Sequence, residues 1–168
     1  MTDPMMTTRF AHLDLPTASQ LQGKLEIFQA YLAQNDHVDV PEGALFWQQL
    51  EAVWTGSNYV AEQMLQSPQE ILARLLDGQL DQPCQKEDYR RALCVCLENT
   101  SDLNQLSKAL RDFRRQEMVR IIWRDLANLA PVLEITAELS ALADVCVDES
   151  LRLIYGWEVA RMGTPIGR

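Results

Sequence analysis

Residues 110–126, Leu110-Arg111-Asp112-Phe113-Arg114-Arg115-Gln116-Glu117-Met118-Val119-Arg120-Ile121-Ile122-Trp123-Arg124-Asp125-Leu126, combine a helical apolar period with a concentration of arginine. Between 108 and 124 the chain holds Lys108 and five arginines against only Asp112 and Glu117. That is +4 in a molecule of net charge −9, so the rest carries −13. In heptad register Leu103 and Leu110 lead to Glu117 and Arg124, and Leu106 and Phe113 lead to Arg120. Charges therefore occupy the seam where a helix ordinarily buries apolar side chains.

A seam faces another element, so Arg114, Glu117, Arg120 and Arg124 are expected to be partly desolvated, with Glu117 within i,i+3 reach of both Arg114 and Arg120. One carboxylate cannot neutralise several guanidiniums. A buried charge that loses its partner costs about 3–5 kcal/mol, so further acidic groups or a bound phosphate are expected opposite this face. The alternative is a solvated face carrying intrahelical pairs.

Outward from this helix the chain punctuates itself into further helices. Thr17-Ala18-Ser19-Gln20 reads as a capping box ahead of Leu21, Leu25, Phe28 and Leu32. Phe46, Leu50, Val53 and Trp54 make a second stripe, interrupted at Gly56-Ser57, after which Val60 and Met64 resume the period. Ser67-Pro68-Gln69-Glu70 is a helix start, Asp77-Gly78 a stop, and Lys86–Glu98 a helix with Tyr89, Leu93 and Leu97 on one side. Asp102, helped by Gln105, caps the arginine helix, which ends near Pro131. A last long helix spans roughly 133–157, with Ile135, Leu139, Leu142, Cys146, Leu153 and Trp157 on one face. Sustained period-two alternation is absent. The fold class is thus all-α, a bundle of six to seven helices with two long ones at the C-terminal end, organised as a terminus 1–16, one helical domain 17–162 and a tail 163–168.

Composition limits function. An apolar share of 47% suffices for a packed core. The acidic balance argues against nucleic acid or anionic membrane as partners. No stretch reaches the length of a membrane span, and Met1–Met6 lacks the pattern of a signal peptide, so a cytoplasmic location is expected. Cys84, Cys94, Cys96 and Cys146 form no Cys-x-x-Cys pair and read as buried free thiols; with only His12 and His37 available, no metal site is expected. No nucleophile–base motif or phosphate-binding glycine loop is present, so no catalytic residue is assigned within the chain. The four tryptophans read as packing residues, Trp123 included despite its flanking Arg120 and Arg124.

The arginine helix, from Leu110 to Ile121 and on through Arg124-Asp125-Leu126, resembles the Leu-Arg-x-Phe-Arg-Arg-x-x-Met-x-Arg-Ile signature of the bacterial glutamine synthetase adenylyltransferases, also called adenylyl-removing enzymes. Glu138-Leu139-Ser140-Ala141-Leu142-Ala143-Asp144 resembles that family's Glu-Leu-Ser-x-Leu-Ala-Asp helix. Ser57-Asn58-Tyr59-Val60 with Ser67-Pro68 is similar to its Ser-Asp-Phe-Val helix and following turn, Asn58 removing a charge there. The blocks cover roughly residues 45–160.

The resemblance implies an N-terminal helical part of the adenylyl-removing half of a bifunctional enzyme. Such enzymes transfer AMP to a tyrosine of glutamine synthetase and remove it by phosphorolysis, under control of glutamine and the PII signal protein, using ATP and Mg2+. The family's strand-rich nucleotidyltransferase domain, with its glycine-rich loop and Ser-Asp-x-Asp aspartates, does not occur in these 168 residues, and the chain alone is expected to be inactive. In that setting Arg111, Arg114, Arg115, Glu117, Arg120 and Arg124 become candidates for the interface with the missing domain or for positions near its phosphates. The arginine face is then one side of a seam whose other side lies outside the chain. A different reading is a free-standing helical adaptor binding an acidic partner through the arginine helix.

Overall fold

The computed structural model describes residues 15–35, 40, 43–78 and 80–164, with side chains from Ala18 onward. His12, His37 and the Thr17 side chain lie outside these. Seven helices and no strand occur among the described residues: α1 (Leu15–Gln34), α2 (Ala44–Gly56), α3 (Asn58–Gln66), α4 (Pro68–Leu75), α5 (Lys86–Leu97), α6 (Leu103–Leu126) and α7 (Val132–Met162). The all-helical expectation with two long C-terminal helices holds. Helix α1 begins at Leu15, so Thr17 lies inside it rather than capping it.

Contacts divide the chain into two compact units, residues 1–73 and 74–168. In the first, Leu21, Leu25 and Phe28 of α1 meet an apolar set from α2 and α3 that includes Phe46, Leu50, Trp54 and Met64, all buried. Phe28 stands edge-on to Trp54, ring centroids 5.5 Å apart, and the Trp54 indole N–H points at Met64 Sδ at 3.2 Å. The break expected at Gly56-Ser57 is a cap: the Ser57 hydroxyl accepts the Val60 N–H at 3.3 Å and starts α3.

In the second unit α5, α6 and α7 share one core, built on Tyr89, Leu93, Leu97, Leu106, Phe113, Ile121, Ile135, Leu142 and Val145. Asp102 caps α6 through the N–H groups of Asn104 (2.8 Å) and Gln105 (2.9 Å). The Gln105 side chain accepts from the Ser101 N–H at 2.9 Å, one residue short of its expected target. A capping box that sequence reading missed opens α5, where the Asp88 carboxylate accepts the Gln85 N–H at 2.9 Å while the Gln85 side chain caps the Asp88 N–H. Two left-handed residues end the long helices, Asn128 (φ 55°) after α6 and Gly163 (φ 84°) after α7.

Cys84 and Cys146 are buried free thiols as expected, but Cys94 is half-buried and Cys96 exposed, because both lie off the Tyr89–Leu93–Leu97 stripe that faces the core. Trp123 is fully buried, a packing residue. No helix among the described residues is long and apolar enough to cross a membrane.

Candidate functional site: a buried ion network on the arginine helix

Helices α6 and α7 pack against each other, and the charged stretch of α6 is met by glutamates of α7. Arg120 and Arg124 are both 0% exposed, and Glu138 is 2% exposed. Arg120 Nη2 pairs with Glu138 Oε2, Arg124 Nη1 with Glu138 Oε1, and Arg124 Nη2 with Glu134 Oε1. Two backbone carbonyls of the segment between α4 and α5 take further donors: Leu80 accepts from Arg124 Nε at 2.9 Å and Gln82 from Arg120 Nη1 at 3.4 Å. Each guanidinium carries five donors in a planar fork, and this arrangement uses the forks inside the protein.

Tyr89 of α5 closes the network. Its hydroxyl accepts from Arg120 Nη2 at 2.7 Å and donates to Glu138 Oε2 at 3.1 Å. Burial pushes its hydroxyl up to about 12, and the neighbouring Arg120 offsets only part of that.

Glu117 joins a third arginine. It accepts from Arg120 Nε at 3.1 Å and is held side-on by Arg74, through Nε at 2.6 Å and Nη2 at 2.9 Å. Burial pulls the Arg74 guanidinium down and Glu117 more than reverses this, so it is held above its ordinary value. Arg74 also pairs with Asp77. Arg74, Arg120 and Arg124 thus stand against Glu117, Glu134 and Glu138, with Asp77 a further, more exposed carboxylate on Arg74, which meets the requirement that buried ions be paired and hydrogen-bonded.

The expectation of further carboxylates opposite the arginine face is met inside the chain. Seen from Arg120 and Arg124, the seam is not missing its other side: that side is α7. Arg114 departs from expectation too. It is exposed and makes no ion pair among the described residues, and the second partner of Glu117 is Arg74 instead. Arg111 is exposed, and Arg115 is half-buried with Nη2 3.4 Å from Asp112.

Sequence reading missed Arg74, Tyr89, Glu134 and Glu138. Glu138 carried a signal, since it falls three residues after Ile135 and four before Leu142, a core position on the stripe of α7. So did Glu149, which is 4% exposed, binds α5 to α7 by accepting from Arg90 Nε (3.1 Å), and also accepts from Arg152 Nε of its own helix (2.7 Å). Lys86 adds exposed pairs to Asp144 at 3.2 Å and Asp148 at 3.4 Å. Among the described residues no group of three or more His, Cys, Asp or Glu side chains is placed to hold a metal ion.

A family model described as glutamate-ammonia ligase adenylyltransferase matches residues 47–168, which contain the whole network. The bifunctional glutamine synthetase adenylyltransferase/adenylyl-removing enzyme of Nitrosococcus oceani is 35% identical over 148 residues, 88% of this chain and 15% of that protein. Its counterpart in Pseudomonas aeruginosa is 37% identical over 116 residues, 69% of this chain and 12% of that protein. The one in Hahella chejuensis is 38% identical over 109 residues, 65% and 11% respectively. The chain thus spans a small fraction of the relatives it matches, and no solved structure matches it. By the match over residues 47–168 and by these identities, the chain belongs to the glutamate-ammonia ligase adenylyltransferase family.

Proposed function

We propose that this chain is the N-terminal helical part of the adenylyl-removing half of a bifunctional glutamine synthetase adenylyltransferase, and that it serves as a scaffold that orients catalytic sequence outside these 168 residues. The observation that carries the reading is the self-neutralised network: Arg120 and Arg124 are committed to Glu134 and Glu138, which makes them builders of a rigid helix pair rather than free phosphate ligands. Arg111, Arg114 and Arg115, nearer the surface, remain the candidates for an interface with the nucleotidyltransferase domain or for positions near its phosphates. On this reading ATP and Mg2+ are used by sequence outside these 168 residues. Glutamine synthetase is the target and PII a regulator of the whole enzyme, in the cytoplasm.

The test is AMP transfer. The purified 168-residue chain is expected neither to adenylylate glutamine synthetase nor to remove AMP from its adenylylated form. Metal-dependent turnover by this chain alone would overturn the proposal.

A further inference from the structure

Between α6 and α7 a groove of about 480 Å³ opens to solvent. Its walls are Leu110 on one helix and Cys146, Val147, Leu151 and Ile154 on the other, with Arg114 the one charged side chain lining it. Val147 and Leu151 are 57% and 60% exposed, and Tyr155 beside them 57%, three large apolar side chains left open to solvent on consecutive turns of α7. Positions 143, 147, 151 and 154 fall on one stripe of α7, and Leu110 and Arg114 are one turn apart on α6. A trough between two such ridges has the shape that receives a third helix.

Charge identifies the occupant. The other arginines along the inner face of α6 are each met by a glutamate of this chain, whereas Arg114 has no ion pair among the described residues and stands at an apolar groove. Seating an apolar helix there desolvates the guanidinium, which is favourable only if the incoming helix brings a carboxylate. The matched relatives supply a source, since the aligned segment is 15% of the Nitrosococcus oceani protein and the remainder is still to be packed.

We propose that this groove seats an amphipathic helix that carries a carboxylate for Arg114 and is contributed by sequence the relatives hold outside the segment matched here. The proposal rests on reading the chain as part of a longer enzyme. The occupant presents apolar residues at i, i+4 and i+7 to Leu110, Val147, Leu151 and Ile154, with an Asp or Glu beside them.

The experiment uses the 168-residue chain against an array of synthetic peptides, about five helical turns each, that tile the Nitrosococcus oceani protein outside its aligned segment. The chain is expected to retain one or a few peptides having that pattern. Arg114→Glu and Leu151→Asp, both surface changes checked by circular dichroism, are each expected to weaken retention at least tenfold. Arg114→Glu is expected to recover when the peptide's carboxylate is changed to Lys. No retained peptide, or retention that both variants leave unchanged, would overturn the proposal. Self-association of the chain abolished by Leu151→Asp would overturn it as well, by making a second copy the occupant. AMP transfer is not read in this experiment, so an overturned groove leaves the scaffold reading standing, and turnover by the chain alone leaves the binding result standing.

Discussion

Glu138 places one carboxylate oxygen against Arg120 and the other against Arg124, so a single side chain of α7 holds two fully buried guanidiniums of α6. Removing it strands both in a low-dielectric interior. Glu138→Ala is expected to lower unfolding stability by about 3–5 kcal/mol, measured as a shift of the urea midpoint. An unchanged midpoint would mean that water reaches the network.

Glu117 serves Arg74 and Arg120 in the same way from the α6 side. Glu117→Ala is expected to cost about 3 kcal/mol. Glu158, whose pair with Arg161 at 2.7 Å lies at the surface, is expected to cost less than about 1 kcal/mol on the same change. Equal losses for the two would show that depth in the fold is irrelevant to these pairs.

Tyr89 gives an alkaline signature. Its folded value of about 12 lies above that of a free tyrosine, about 10. The neutral hydroxyl is therefore the form the fold prefers. Its contribution to stability is fully present below about pH 10 and is lost as pH rises through about 12. The phenolate absorbance missing from Tyr89→Phe relative to wild type is expected to appear with a midpoint near 12. A midpoint near 10 would place the hydroxyl in water.

Asp88 acts at the opposite end of the pH scale. The Gln85 backbone N–H, then Arg91, hold its carboxyl below the ordinary carboxylate range. A depressed value stabilises above the unfolded value, about 3.9, and the benefit is lost as pH falls through the folded one. Asp88→Asn is expected to flatten the acid limb of thermal stability and leave its alkaline limb in place, as read by melting temperature against pH.

Gly156 sits within α7, and a Cβ there meets nothing within 4 Å. Gly156→Ala is expected to stabilise by about 0.5–1 kcal/mol through the backbone freedom it removes from the unfolded chain. Destabilisation on thermal melting would reveal a bend at that position.

Much of this was legible in the residues. The stripes at Leu50–Trp54, Tyr89–Leu97 and Ile135–Leu142 are periodic enough to place their helices, and the charge at Glu117, Arg120 and Arg124 marks a buried seam in the sequence itself. Which partners fill the seam was not legible from periodicity. Arg74 lies 43 residues from Glu117 and sits near the end of a short helix, where an arginine ordinarily serves the helix terminus. Glu138 was visible only as part of a family motif, although its place between Ile135 and Leu142 carried the physical reason. Arg114 shares its turn with buried residues, but it lies outside the register that leads to Glu117, Arg120 and Arg124 and turns to the surface.

Arg120 and Arg124 are one turn apart going up α6, and Glu138 and Glu134 are one turn apart coming down α7. Sliding either helix by a turn to bring Glu138 wholly onto Arg124 would leave Arg120 opposite Leu142, its Nη2 facing a methyl surface and only Glu117 of its own helix still paired to it. The ladder works as a keyed lock on axial position: one alignment closes every pair and the adjacent one breaks at least one. Slippage of one helix along the other is therefore the displacement this pair resists most directly.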